Sequence, residues 1–107
     1  MNQLPIVLTF TPHDPSGISS LQGDIETLSS LGCHCTSALT GVFAKDSREV
    51  KWLHNIPAST LIAQARAILE DMPVDVIKIG DLCTVENIEA VHSILMDYPH
   101  IPVVFDP

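Results

Sequence analysis

The chain has 107 residues, which allows one domain at most. Thirteen acidic residues outnumber five lysines and arginines, so the formal net charge at pH 7 is −8. This balance disfavours nucleic acid and anionic membranes as partners, because both are polyanions. Apolar residues make up 46% of the sequence, which is enough for a packed core and argues against bulk disorder.

The N-terminal segment, the apolar runs and the cysteines indicate where in the cell the protein is expected. The first five residues hold no cationic region and no long apolar run, so we expect no signal peptide. No apolar run approaches the ~20 residues that a membrane-spanning helix needs. The three cysteines are an odd number, and without a secretion signal they predict reduced thiols in a cytoplasmic protein.

The first elements predicted along the chain are a strand, a loop and a helix. The apolar run over residues 5–10 is typical of a strand buried on both faces of a parallel sheet. Residues 11–17 are dense in turn residues and predict a loop. Gly32 is placed to end the helix that follows. The predicted inner face of this helix consists of Leu21, Ile25, Leu28 and Leu31.

The middle of the chain predicts two more strands and a second helix. Residues 33–44 form the second strand, and residues 50–56 form a short strand at a sheet edge, before a proline. Ser59 is the predicted N-cap of the next helix. The predicted inner face of that helix consists of Leu61, Ala65, Ile68 and Met72.

The last third repeats this alternation, which predicts an α/β fold built from βαβ units around a parallel sheet. Residues 74–79 predict a strand that ends at Gly80, and residues 101–105 predict a final buried strand. Thr84 is the predicted N-cap of the helix between them. The predicted inner face of that helix consists of Ile88, Val91 and Leu95.

Three loops are candidates for a binding site, because ligands of parallel sheets bind beyond the carboxyl ends of the strands. They are residues 11–17, 80–84 and 106–107. The first leads into a helix that carries Asp24, and it could aim donors and a carboxylate at a small ligand. An ordinary loop in which Asp14 forms an Asx turn explains the same residues.

Other polar positions keep two interpretations each. Cys33 and Cys35 flank His34, but structural zinc needs four ligands, so buried thiols and no metal site are predicted. Lys78 is either a cation for an anionic ligand or the partner of a carboxylate. Asp106 either holds a metal ion near a phosphate or ends a strand in a turn. The sequence contains neither the G-x-G-x-x-G nor the Walker A pattern of nucleotide-binding loops. It also shows no Ser/His/Asp or Cys/His arrangement for nucleophilic catalysis.

Five short motifs in order resemble the hydroxymethylpyrimidine/phosphomethylpyrimidine kinases of thiamine biosynthesis. The motifs include residues 8–17, 22–24, 76–80 and 102–107, and the likeness covers essentially the whole chain. The resemblance implies the ribokinase-like fold, a Rossmann-like three-layer architecture with a mainly parallel sheet and helices on both faces. It also implies that residues 1–107 are the N-terminal, substrate-binding half of the kinase domain, with the C-terminal half incomplete.

The implied reaction transfers the ATP γ-phosphoryl group to 4-amino-5-hydroxymethyl-2-methylpyrimidine and then to its phosphate. ATP and Mg²⁺ are expected for the full-length family, and neither is evident from this chain. The catalytic residues and the nucleotide site are expected beyond residue 107, so the chain alone is expected to be inactive. The implied substrate-binding residues are Asp14, Gly17, Asp24, Lys45, Gly80 and Asp81, and Asp106 is expected near the phosphate or metal.

The sequence departs from the family pattern at three places. Lys45 stands where the family has Gln, and lysine only donates hydrogen bonds, whereas glutamine also accepts them. Asp81 stands where an apolar Met commonly packs on the ring. The family's Gly-Gly-Ala-Gly turn is replaced by residues 17–20, which keep one glycine.

Two alternatives to a pyrimidine kinase stay open. Another kinase of the same superfamily, such as a pyridoxal kinase, shares the fold. A non-catalytic binding or assembly module that pairs with itself as a homo-oligomer, or with a partner, would make use of an uncovered sheet edge.

Overall fold

The computed structural model describes residues 4–106. Residues 1–3, on which the expected lack of a signal peptide partly rests, lie outside the described residues. So does Pro107, the second residue of the third candidate loop. The predicted alternation of strands and helices is confirmed. The elements are β1 (Ile6–His13), α1 (Ser20–Ser30), β2 (His34–Lys45), β3 (Val50–Asn55), α2 (Ala58–Leu69), β4 (Val76–Ile79), α3 (Val85–Asp97) and β5 (Val103–Phe105).

The five strands form one sheet in the order β3-β2-β1-β4-β5. β1 runs parallel to both β2 and β4, and β5 runs parallel to β4. β3 is antiparallel to β2 and lies at one edge of the described sheet, as predicted. β1 continues to His13, so the predicted loop over residues 11–17 is wrong in its first half, where pairing with β2 extends the strand.

Helices cover both faces of the sheet, because side chains alternate along each strand. Leu8 and Phe10 of β1 are fully buried in a core shared with α2 and α3. Thr9 points to the other face, where its hydroxyl donates to Asp24 of α1. The remaining buried members of the core cluster are Ala38, Leu61, Ala65, Leu69, Ile77, Ile79, Val91, Ile94 and Ile101.

Two of the predicted helix ends are confirmed by their hydrogen bonds. Gly32 has φ +79°, and the amide of Cys33 donates to the carbonyl of Leu28 at 2.8 Å, which closes α1 in a Schellman motif. The hydroxyl of Thr84 accepts the amide of Asn87 at 3.1 Å and caps α3.

The predicted cap of α2 is wrong. Ser59 lies inside the helix, and Pro57 occupies the N-cap position without a side-chain hydrogen bond. The carbonyl of Pro57 accepts the amide of Leu61 at 3.0 Å and so starts the helix. The helix ends at Leu69, so Met72 lies beyond it rather than on its inner face.

Several side chains predicted to be buried are exposed. On α1 only Asp24 is buried, while Ile25 and Leu31 are 41% and 71% exposed. On α3 Ile88 is exposed, and the buried face is Asn87, Ala90, Val91 and Ile94. All three residues of β5 are exposed, because β5 pairs only with β4 in the described sheet. Within residues 4–106, no helix combines the length and apolarity of a membrane span.

Candidate functional site

A polar cleft lies on the α1 side of the sheet. It consists of two adjoining hollows of about 450 and 270 Å³. Both are lined by Asp24 of α1, Lys78 of β4 and Asp106 after β5, and the smaller one adds Gly80 and Asp81. The structure therefore brings together four of the predicted binding residues, Asp24, Gly80, Asp81 and Asp106, from three separate parts of the sequence. The other residues that line both hollows are Ser19 and Ser20.

Lys78 is the central cation of the cleft. Its ammonium contacts Oδ1 of Asp24 and lies 3.3 Å from Oδ2 of Asp106. The second oxygen of Asp24 accepts the hydroxyl of Thr9 at 2.7 Å. Burial lowers the pKa of Lys78, but the two carboxylates outweigh it, and the pKa is raised. The carboxylate pairing considered for Lys78 is thus observed.

Asp14 lies outside the cleft and organises the loop before α1. Its side chain is fully buried and accepts the amide and hydroxyl of Ser16 at 2.9 and 2.7 Å. Ser19 donates its amide and hydroxyl at 3.2 and 2.9 Å. Burial would raise the pKa of Asp14, but these hydrogen bonds hold it well below its ordinary value. The Asx turn is observed, and contact of Asp14 with a substrate stays a prediction.

Lys45 and Gly17 lie beside Asp14 and do not line the cleft. The ammonium of Lys45, at the end of β2, lies 3.4 Å from Oδ2 of Asp14. Gly17 has φ +75°, and a Cβ there would lie 2.9 Å from the amide oxygen of Gln22. The structure links this group to the cleft through Ser19, which donates to Asp14 and also lines both hollows.

Gly80 and Asp81 shape the floor of the smaller hollow. A Cβ on Gly80 would lie 3.3 Å from the carbonyl oxygen of Phe10, so a side chain would crowd β1. Oδ1 of Asp81 accepts the amide of Cys83 at 2.8 Å. The backbone carbonyl of Asp81 accepts the hydroxyl of Thr40 at 2.7 Å. These bonds fix the loop after β4, while the Asp81 residue itself remains exposed.

Sequence reasoning did not single out Ser20 and Asn87. Ser20 has φ +60°, a conformation that favours glycine, and the glycine-poor turn at residues 17–20 was the available signal. Asn87 is fully buried, and its amide nitrogen donates to the carbonyls of Thr40 and Leu82. Its Oδ1 has no partner among the described residues. Nothing in the sequence distinguished this asparagine from a surface position.

The two lysines at or beside the cleft are both paired, and no preformed metal site is found among residues 4–106. Within residues 4–106, no group of three or more histidine, cysteine or acidic side chains is placed to hold a metal. Lys45 and Lys78 each face a carboxylate, so a phosphate would compete with Asp14 or Asp24 for either ammonium. No step through ATP or Mg²⁺ is therefore assigned to these side chains.

A three-layer α/β fold with a polar cleft at the carboxyl ends of parallel strands defines the class of small-molecule-binding α/β proteins. Within this class, the family model described as phosphomethylpyrimidine kinase matches residues 14–107. The chain belongs to that family, and the resemblance found in the sequence is confirmed.

Individual relatives cover nearly all of this chain. A thiamine biosynthesis bifunctional protein of Geobacter sulfurreducens is 37% identical over 101 residues, which are 94% of this chain and 21% of the relative. A hydroxymethylpyrimidine/phosphomethylpyrimidine kinase of Streptomyces coelicolor is 36% identical over 103 residues, which are 96% of this chain and 38% of the relative. The chain thus spans well under half of each relative's length.

Solved structures confirm the ribokinase-like fold. The phosphomethylpyrimidine kinase of Clostridium difficile superposes with a TM-score of 0.89 and 27% identity, over 98% of this chain and 45% of that one. The pyridoxal kinase of Bacillus subtilis, solved as an ADP complex, superposes with a TM-score of 0.90 and 29% identity, over 98% of this chain and 42% of that one.

Proposed function

We propose that residues 1–107 supply the pyrimidine-binding half of a hydroxymethylpyrimidine/phosphomethylpyrimidine kinase. The observation that carries this proposal is the cleft that gathers Asp24, Gly80, Asp81 and Asp106 in a member of this family. The proposed substrate is 4-amino-5-hydroxymethyl-2-methylpyrimidine or its phosphate. The proposed location is the cytoplasm, and nucleic acid and membranes are not among the proposed partners.

In this proposal each cleft residue has a separate task. Asp24 is held by Thr9 and Lys78, so its carboxylate is fixed before a ligand arrives. Gly80 leaves room for a flat ring beside β1. Asp106 is mostly exposed and pairs with Lys78, and we assign it to the part of the cleft that the phosphoryl group approaches. Asp14, Gly17 and Lys45 keep the loop before α1 in place beside the ring.

The nucleotide is assigned to a different part of the whole kinase. The chain spans 38% of the Streptomyces coelicolor kinase, and its lysines beside the cleft already face carboxylates. Phosphoryl transfer depends on positioning and on charge stabilisation around the transferred group. We therefore expect the 107-residue chain to bind the pyrimidine without transferring phosphate from ATP, although ATP and Mg²⁺ serve the whole enzyme.

Titration calorimetry tests the binding step. We expect the pyrimidine to bind the unchanged chain, and Asp24→Asn to weaken binding about tenfold by removing a fixed carboxylate. Asp97→Asn is the matched control, since Asp97 pairs with Arg66 at 2.9 Å, away from the cleft. Circular dichroism confirms that both variants fold. Absence of pyrimidine binding to the folded, unchanged chain would contradict the proposal.

A pyridoxal kinase is the second candidate function. The superposition on the Bacillus subtilis pyridoxal kinase is as close as that on the pyrimidine kinase. Competition between pyridoxal and the pyrimidine for the chain separates the two. Preference for pyridoxal would move the proposed substrate to that class.

A further inference from the structure

Asp81 differs from the other carboxylates of the cleft in having no cation partner among the described residues, since Asp24 and Asp106 both pair with Lys78. Both oxygens of Asp24 are engaged, one by Thr9 and one by Lys78. Oδ1 of Asp81 accepts the amide of Cys83. Among residues 4–106, no hydrogen bond or ion pair reaches its Oδ2. Asp81 therefore presents a free acceptor at the wall of the smaller hollow.

The charge of the smaller hollow also favours a ligand that donates hydrogen bonds. Its charged lining consists of three carboxylates and the single ammonium of Lys78. That ammonium is shared between Asp24 and Asp106, which leaves Asp81 without a cation of its own in the described structure. Such a lining attracts hydrogen-bond donors, and a charged acceptor forms the stronger bonds. On its other side Asp81 borders an apolar hollow lined by Leu82, Ile88 and Phe105.

We propose that Asp81 is a specificity-determining residue that selects rings carrying an exocyclic amino group over the same rings without one. Its Oδ2 accepts a hydrogen bond from the amino group, and the bond is strong because the acceptor is charged. The same ring without the amino group cannot form this hydrogen bond, so it binds more weakly by the contribution of that bond. This inference rests on the proposed function, because it names the part of the ligand that the pyrimidine cleft reads.

One substitution separates the charge of Asp81 from its structural role. In Asp81→Asn the amide oxygen still accepts the amide of Cys83, so the turn after β4 is retained. The free acceptor becomes an NH₂ donor, which opposes a ligand amino group. Asp71→Asn is the matched control, because it makes the same charge change at an exposed position after α2.

The test compares two ligands by calorimetry, 4-amino-5-hydroxymethyl-2-methylpyrimidine and the same ring without the amino group. We expect the unchanged chain and Asp71→Asn to prefer the amino ring by about tenfold or more. We expect Asp81→Asn to lose this preference while its affinity for the ring without the amino group changes less than about twofold.

The outcomes separate this inference from the function on which it rests. If Asp81→Asn keeps the full preference, or weakens both ligands equally, Asp81 does not read the amino group and the inference is overturned. The proposed function survives either result. If the unchanged chain binds neither ring, the proposed function fails, and the inference fails with it.

Discussion

At the residue scale, Asp14 makes the stability of the fold depend on pH through the loop before α1. Ser16 and Ser19 lower its pKa below the ordinary value of 3.8, although its burial acts in the opposite direction. Because the folded pKa lies below the unfolded one, Asp14 stabilises the fold above about pH 4 and loses this contribution as the pH falls. Asp14→Asn places an NH₂ group among hydrogen-bond donors. We expect it to lower the free energy of unfolding by about 2 kcal/mol at pH 7.

Urea unfolding at pH 7, 4.5 and 3 measures this effect. We expect the unchanged chain to lose more stability between pH 4.5 and 3 than Asp14→Asn does. Asp71→Asn, at an exposed position, serves as the control and follows the unchanged chain. Parallel pH profiles for the unchanged chain and Asp14→Asn would show that the carboxylate does not carry this acid sensitivity.

Sequence reasoning located the site by topology but not its internal contacts. Gly80, Asp81 and Asp106 follow strands β4 and β5, and the carboxyl ends of parallel strands meet at one sheet edge. The contact between Lys78 and Asp24 joins positions 54 residues apart on different elements. No local pattern encodes such a pair, so the sequence alone leaves both interpretations of Lys78 open.

At the scale of elements, two glycines of the α1 region test opposite effects of backbone conformation. Gly32 has φ +79° and open space around a built Cβ, so Gly32→Ala is strained through the backbone alone. We expect it to cost about 1 kcal/mol. Gly23 lies inside α1, where a Cβ would meet only the carbonyl oxygen of Ile18 at 3.7 Å. We expect Gly23→Ala to stabilise the fold by about 1 kcal/mol.

Thermal and urea unfolding of the two variants provide the measurement, and each variant is the control for the other. The same change of atoms, one methyl group, has opposite expected signs because the backbone differs. A loss of stability in Gly23→Ala comparable to that in Gly32→Ala would show that helix propensity does not govern α1.

Helix ends were easier to predict than buried faces. Gly32 and Thr84 act through local hydrogen bonds, so their chemistry is visible in a few residues. The face of α1 was mispredicted because apolar periodicity presumes an apolar partner. On its side of the sheet α1 meets Thr9 and the Lys78 side chain, and it buries Asp24 against them.

At the scale of the whole molecule, the described chain is compact with open edges. Its radius of gyration is 13.6 Å, close to the ~13 Å expected of a 100-residue domain. The described sheet nevertheless ends in two strands that are exposed along their whole length, β3 and β5. Compactness therefore comes from the core around β1, β2 and β4. The two edge strands expose unpaired backbone groups to which another strand can pair.

The two edges differ in how well they resist pairing. β3 carries Lys51, and an edge lysine hinders strand addition. β5 is entirely apolar, with Val104 and Phe105 52% and 66% exposed. The self-association considered from the sequence is thus expected to run through β5. Light scattering over a range of concentrations is expected to give a mass above 11.6 kDa for the unchanged chain.

Val104→Lys is expected to shift that mass to the monomer, because the ammonium opposes a second apolar edge. Leu53→Lys makes the same kind of change on β3 and is expected to leave the association unchanged. Circular dichroism confirms that both variants fold. A monomeric unchanged chain at all concentrations would contradict the expected association, and a larger effect of Leu53→Lys would place the contact on β3 instead.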